Sequence, residues 1–261
     1  MTLSPQPLVS IITPSFNQAQ YLEQTIQSVL EQDYPNLELI VIDGGSTDGS
    51  KAIIEKYAPR LSYWQSQKDA GQTDAINQGF ARAKGEVLAW LNSDDYLYTG
   101  AVTKAVEELR RYPQAALVYG NCDLVNGQGK FIKRFPAAQT DLVKLRQGYV
   151  HIPQQAAFFL AEAWKRVGPL DPSFFFAMDY DLWTRLAKLG PVQYINAEPW
   201  AAFRLHGDSK SIAADDRCWP EMLKVHYRDG GKVLSPIVAK YWIRKVSQPV
   251  RGWLRKKSLE D

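Results

Sequence analysis

The run Val-Leu-Ala-Trp-Leu from Val87 turns abruptly polar at Asn92, Ser93, Asp94 and Asp95. Two adjacent carboxylates repel, and a site that keeps both ionised needs a cation beside them. A hard divalent ion such as Mg2+ or Mn2+ takes one or two protein carboxylates and completes its shell with water and phosphate oxygens, which suits so sparse a pair. The competing reading is helix-start charge, because a helix beginning near Thr99 favours acidic residues ahead of its first turn. Asp43 poses a similar choice. It ends a Leu-Ile-Val-Ile run and precedes Gly44 and Gly45, so it is either a turn aspartate or a carboxylate presented beside exposed amides, an arrangement that suits a nucleobase edge. Asp179 and Asp181 fall at a helix start, where acidic residues are favoured in any case. The run Phe174 to Phe176 gives Asp179 apolar surroundings of the kind that raise a carboxylate's pKa toward useful basicity.

The elements that must carry these residues follow from periodicity. Short β-branched runs at Leu8 to Thr13, Leu37 to Ile42, Leu61 to Ser66 and Glu86 to Leu91 read as buried strands. Helical patterns lie between them at Tyr21 to Gln32, Ser50 to Tyr57 and Thr73 to Ala83. The alternation predicts an α/β fold with a mostly parallel central sheet and helices on both faces. Ligands in such sheets bind beyond the carboxyl ends of the strands, where helix N-termini direct free N–H groups at an anion. Those loops are Thr13 to Gln18, Asp43 to Ser50, Gln67 to Ala75 and Asn92 to Tyr96. The second half is less regular. A helix is expected from Gly100 to Arg111 and another from about Tyr180 to Leu189, with strands at Ala116 to Leu124, Lys130 to Phe135, Val192 to Ile195 and Trp200 to Leu205, and an aromatic segment from Gln154 to Leu160.

At 261 residues, 45% hydrophobic and 12% aromatic, the chain can fill a sizeable core. Cys122 and Cys218 stand far apart without metal-ligand spacing, which argues against a disulfide framework or a zinc site and for a reducing, cytoplasmic setting. The N-terminal stretch has no positively charged leader and does not read as a signal peptide, and no apolar segment approaches a membrane span of ~20 residues. Net charge is +3, but residues 230–261 carry eight basic side chains against two acidic ones, a local +6. Basicity confined to one tail points to an anionic surface and away from nucleic acid.

Taken together, Val9 to Ser50 and Lys68 to Leu97 resemble the nucleotide-sugar half of a family 2 glycosyltransferase with the GT-A fold, a resemblance spanning roughly Leu8 to His206. It implies that Thr13, Phe16 and Asp43 hold the nucleobase, usually uracil, and that Asp69, Gly71 and Asp74 line the ribose and diphosphate. Asn92 to Asp95 occupies the place of the family's DXD motif. Asn92 and Ser93 then face the nucleotide-sugar, Asp94 is the metal ligand, and Asp95 is its acceptor-side neighbour. His206 matches a late histidine that completes the metal site or contacts the diphosphate, ahead of Ser209, Lys210 and Ser211 in a loop over the leaving group. Asp179 matches the catalytic base, with Asp181 facing away along the helix. Gln154 and Gln155 match an acceptor-side segment that would bind sugar hydroxyls, although an ordinary strand edge reads equally well. Three positions depart from the pattern: Asn92 and Gly44 stand where members often have aspartate, and Met178 where they have an acid.

The resemblance implies an inverting, metal-dependent transferase using Mn2+ or Mg2+. It would move a sugar from a nucleotide-sugar, UDP-linked, to a hydroxyl of a glycan or lipid-linked acceptor in bacterial cell-surface polysaccharide synthesis. One catalytic domain is expected over residues 1–231, with a nucleotide-sugar half at 8–96 and an acceptor half at 97–211. Residues 232–261 form a tail that interleaves Val233, Leu234, Ile237, Tyr241, Trp242, Ile243 and Val246 with Lys and Arg, and Pro249 breaks it. It is either a helix docked on the core or an interfacial helix holding the protein peripherally on the cytoplasmic membrane face. Two rivals remain. A sugar nucleotidyltransferase would carry a Gly-rich basic signature near its N-terminus, which Thr13 to Gln18 is not. A nucleotide-sugar-binding protein with impaired catalysis is favoured by Asn92 and Met178.

Overall fold

The computed structural model describes residues 3–207 and 217–246. Strand β1 (Val9–Ser15) is buried along its whole length. Such a strand reads as a continuous apolar run because both faces of its sheet are covered. It lies between β2 (Leu37–Asp43) and β4 (Val87–Trp90), parallel to both, and β3 (Tyr63–Ser66) adds a parallel edge beside β2. Helices α1 (Ala19–Leu30), α2 (Ser50–Tyr57) and α3 (Gln72–Arg82) make the crossovers. Helix α1 buries Tyr21, Leu22, Thr25, Ile26 and Val29, the stripe expected of an amphipathic helix on a sheet. Gly79 lets α3 lie directly on β1, since a Cβ there would stand 2.4 Å from Ile12 Cγ2.

Past β4 the sheet changes direction. β8 (Ala157–Leu160) pairs antiparallel with β4 and with β6 (Leu117–Asn126), whose outer partner is β7 (Phe131–Arg134). β9 (Val192–Leu205) runs parallel to β6 and antiparallel to the two-residue β5 (Tyr96–Leu97). The order β3-β2-β1-β4-β8-β6-β9-β5 therefore sews the strand after the acidic loop to a segment about a hundred residues downstream. The two strands expected at Val192 to Ile195 and Trp200 to Leu205 are one. Register shifts opposite Asn121 absorb the interruption around Pro199 and let the ladder resume.

Among the helices, α4 (Ala101–Arg111) lies where expected, whereas α7 (Met178–Leu186) starts and ends earlier than the sequence reading. α5 (Leu142–Arg146), α6 (Ala161–Val167) and α8 (Cys218–Arg228) had no counterpart in that reading. α5 and α6 are too short for a periodic signal, and the first turn of α8 contains Pro220, a position where proline is tolerated. A ninth helix, α9, covers 236–246. Its Ile237 and Val238 are buried in the main core, with Ile237 against Gly148, so the basic tail is joined to that core. Trp90 at the end of β4 stacks on Trp183 of α7, ring centroids 5.4 Å apart. That contact ties the helix carrying Asp179 to the strand that precedes Asn92.

Candidate functional site

Two cavities open beyond the carboxyl ends of the parallel strands. One, of about 460 Å³, is lined by Phe16, Lys68, Asp69, Gly71, Ser93 and Asp94, among others. Phe16 is 61% exposed and offers its ring to the opening. Burial pushes the Asp69 carboxyl above its ordinary range, and nearby Asp74 and Asp43 add to the effect, while the Gly71 amide donating at 2.8 Å pulls the other way. Gly44 belongs to this arrangement. A Cβ there would stand 3.0 Å from Asp69 Oδ2, so an aspartate at position 44 would meet a like charge.

Three residues expected at the nucleotide do not line this cavity. Thr13 is fully buried in β1. Asp43 is also fully buried, and its carboxylate accepts from Gly45 N at 3.2 Å, Ser46 N at 2.9 Å, Ser46 Oγ at 2.5 Å and Ser66 Oγ at 2.7 Å. A carboxylate has about four lone-pair sites, so Asp43 is largely spent on shaping its own turn. Asp74 accepts from Ala70 N and Gln78 Nε2, which anchors the start of α3. Lys68, in contrast, carried no expectation and brings a cation to the cavity wall.

The acidic pair divides its roles. Asp94 Oδ2 lies 3.0 Å from His206 Nε2, and the His206 ring packs on Tyr21 with centroids 4.7 Å apart. Asp95 points inward and is 1% exposed. It accepts from Arg204 N at 2.8 Å, Gln155 Nε2 at 2.9 Å and Asn92 Nδ2 at 3.4 Å. Burial drives its carboxyl well above the ordinary range, with the Asp94 charge adding to it. Arg204 clamps the same loop: Nε donates to Asp94 O at 2.8 Å, the guanidinium also reaches Gly127 O and Gln24 Oε1, and it lies over Tyr21 at 4.7 Å.

The second cavity, of about 470 Å³, is lined by Asp179, Gln154, Gln155, Phe176, Trp219 and Arg244, among others. Gln72, Asn92 and Phe203 line both cavities and mark where they meet. At that junction Asn92 Oδ1 accepts from Gln72 Nε2 at 2.8 Å, while its Nδ2 donates to Gln154 Oε1 at 3.2 Å and faces Asp95. The Asn92 amide accepts on one side and donates on the other, whereas an ionised aspartate only accepts, so an aspartate here would face the Asp95 carboxyl and lose both donations. Gln154 Nε2 is committed to Trp90 O at 2.6 Å and Gln155 Nε2 to Asp95, so these amides brace the acidic loop from the side of the second cavity. Met178 is buried, its sulfur 3.2 Å from Thr73 Oγ1, a contact with α3 that a charged residue could not make cheaply. Asp179 Oδ1 accepts from Tyr180 N at 2.7 Å, and Asp181 faces away into Arg185 and Arg228.

Among the described residues, no group of three or more His, Cys, Asp and Glu side chains converges as a complete metal cage. Asp94, which lines the first cavity, and His206 beside it nonetheless offer one carboxylate and one imidazole, a donor set that fits an ion completing its shell with phosphate and water. Ser209, Lys210 and Ser211, together with residues 247–261 of the basic tail, lie outside the described residues.

Residues 10–172 match the family model described as glycosyl transferase family 2. An uncharacterised glycosyltransferase of Mycobacterium tuberculosis is 36% identical over 184 residues, covering 69% of each chain. The chain spans 34% of the length of a Rickettsia bellii relative and 64% of a Rickettsia typhi one. In fold it is similar to Staphylococcus aureus TarS 1–349 in complex with UDP-GlcNAc, with a TM-score of 0.70 at 16% identity over 92% of this chain and 73% of that one. It is also similar to the mannosyltransferase PcManGT of Pyrobaculum calidifontis in complex with GDP-Man and Mn2+, with a TM-score of 0.67 at 20% identity over 93% of this chain and 72% of that one.

Proposed function

The chain belongs to glycosyl transferase family 2 and has the GT-A fold, and from that premise we propose that it moves a sugar from a UDP-linked donor to an acceptor hydroxyl with inversion at the anomeric carbon. One observation carries the reading. Two cavities meet at Asn92, one lined by Asp69 and Asp94 and the other by Asp179, so donor and acceptor can approach a single point from opposite sides.

In the first cavity the Phe16 ring offers a face to the base, and Lys68 with the Gly71 backbone meets the diphosphate. Asp94 and His206 would hold a divalent ion, Mn2+ or Mg2+. When bound, it neutralises charge on the departing diphosphate. In the second cavity Asp179 takes the proton of the acceptor hydroxyl as its oxygen attacks, while positive charge develops on the sugar as in glycosidase chemistry. Asn92, held from three sides, orients the sugar at the junction and keeps the two carboxylate sites apart.

The acceptor in this reading is a glycan or lipid-linked hydroxyl of cell-surface polysaccharide synthesis, met on the cytoplasmic membrane face. What supports the location is α9, where Trp242, Ile243 and Val246 are 54%, 67% and 74% exposed beside Lys245. Apolar side chains with adjacent cations suit an anionic lipid surface. Among the described residues, no helix is long and apolar enough to cross a membrane.

The test is to incubate the purified chain with UDP-sugars and Mn2+, with and without lipid acceptors, and to measure released UDP. Release that is lost in Asp179→Asn while UDP binding persists is the expected result. Transfer surviving in that variant moves the base elsewhere, and no release under any condition leaves only a nucleotide-sugar-binding protein.

A further inference from the structure

Helix α8 lies outside the 10–172 stretch that the family model matches, yet it packs against the segment leading into Asp179. Four side chains spaced along one helical face make the contact. The Arg217 guanidinium lies over the Phe176 ring at 5.0 Å, Lys224 Nζ donates to Ser173 Oγ at 2.7 Å, and Arg228 pairs with Asp181. Between Arg217 and Lys224 stands Glu221. Its Oε1 accepts from Phe175 N at 3.0 Å, and its Oε2 accepts from Phe176 N at 2.7 Å and Ala177 N at 2.8 Å.

Three consecutive backbone N–H groups form a concavity suited to an anion, and here a carboxylate from a distant helix fills it. The need for it is local. Helix α7 begins at Met178 with Ala177 as its cap residue, and no side chain of its own caps it. The amides ahead of a helix start must find partners, and an uncapped start frays. Asp179 is the second residue of that helix, and the bracketed segment straddles the junction, with Phe175 lining the donor cavity and Phe176 the acceptor cavity.

We infer that Glu221 is a positioning residue: its carboxylate fixes the turn at 175–177 and so sets where Asp179 stands relative to the acceptor hydroxyl. The inference rests on Asp179 being the base, as proposed above. Glu221 touches neither cavity's reacting atoms and acts through the backbone it holds.

The experiment compares Glu221→Gln with Lys224→Met in the full chain. Glutamine keeps the size but can accept through one oxygen only, so at least one amide loses its partner. Expected is a fall in kcat of about a hundredfold, the scale of an ångström-sized misplacement of a catalytic group, with UDP affinity and donor KM unchanged. Lys224→Met cuts another tie between the same helix and loop and is expected to keep the wild-type kcat. Should Glu221→Gln fail to fold, Glu221→Asp, which withdraws the carboxylate by one methylene, supplies the same split. Wild-type kcat in the Glu221 variant overturns the inference, as does an equal kcat loss in Lys224→Met. Either result leaves the base assignment standing when Asp179→Asn is inactive, whereas an active Asp179→Asn removes the base assignment first.

Discussion

His206 Nε2 stands 3.0 Å from Asp94 Oδ2 although the two residues are 112 positions apart, because β9 pairs with β5 and carries the histidine back to the acidic loop. In the proposed function this pair would hold the divalent ion, and its two halves should then fail together. Asp94→Asn and His206→Ala are each expected to weaken Mn2+-dependent UDP binding by at least about tenfold, the range seen when metal-site partners are removed. Chelation should reduce the wild type to the level of the variants. Calorimetric titration with and without EDTA checks this, and a variant as metal-responsive as the wild type would exclude that residue as a ligand.

The amide at position 92 is dictated by its neighbours. Asn92→Asp restores the commoner motif but places a carboxylate beside Asp95 and abolishes the donation to Gln154. Each buried polar group left unsatisfied costs about 1–3 kcal/mol. A lowered melting temperature is expected at neutral pH, with part of the loss recovered in acid, where the introduced charge is removed. Calorimetric scans at both pH values decide it, and an unchanged melting temperature would show that the loop adapts.

Arg204 is buried to 2% exposure and ties Asp94 O, Gly127 O and Gln24 Oε1 together. Arg204→Met keeps the stem and removes the guanidinium. With charged hydrogen bonds contributing about 1.5–3 kcal/mol each, stability should fall by about 3 kcal/mol or more in urea titrations. UDP affinity should fall as well, because the carbonyl that Arg204 holds belongs to Asp94. Loss of stability with intact UDP binding would reduce Arg204 to a structural role.

Asp95 gives a pH signature. Burial raises its folded pKa above the unfolded value, so the stability associated with it is fully present below the unfolded pKa, near 4, and is lost as pH rises toward the folded pKa. Asp95→Asn, which cannot ionise, should flatten that limb of the stability curve. Urea unfolding across pH 4 to 8 on both proteins measures it, with parallel curves as the result that contradicts the shift.

The outer face of α9 can be tested without disturbing its inner face. Replacing Trp242, Ile243 and Val246 together by Ser leaves Ile237 and Val238 in the core. Co-sedimentation with vesicles containing anionic phospholipid should be lost while melting temperature and UDP binding are kept. Undiminished sedimentation would show that this face is not the contact surface.

The candidate site was partly legible in the chain. Asn92 to Asp95, Asp69 and Gly71 announced themselves as strand-end loops, since β4 and the run into Asp69 are read from local periodicity alone. Asp43 and Asp74 carried the same signature, yet their carboxylates are spent on Ser46, Ser66 and Gln78. A loop aspartate that lines a cavity and one whose carboxylate is held by its own turn look alike in sequence, because what separates them is the direction of the side chain. Arg204 and Glu221 were missed for the converse reason. Each acts on a partner more than forty positions away, which no local pattern encodes.

Sequence alone determined the alternation of buried strands and amphipathic helices, hence the parallel half of the sheet and the loops where ligands converge. Those features depend on side-chain spacing within a few turns of chain, and spacing survives in the sequence. Tertiary structure decided which carboxylate of the Asp94–Asp95 pair faces the cavity, why an amide sits at position 92, and which helix holds the turn ahead of Asp179. Each of these depends on hydrogen-bonding partners supplied by remote segments, and only the packing of β9, α3, α8 and the turn at Gln154 against the loops at 92–95 and 175–177 brings those partners within reach.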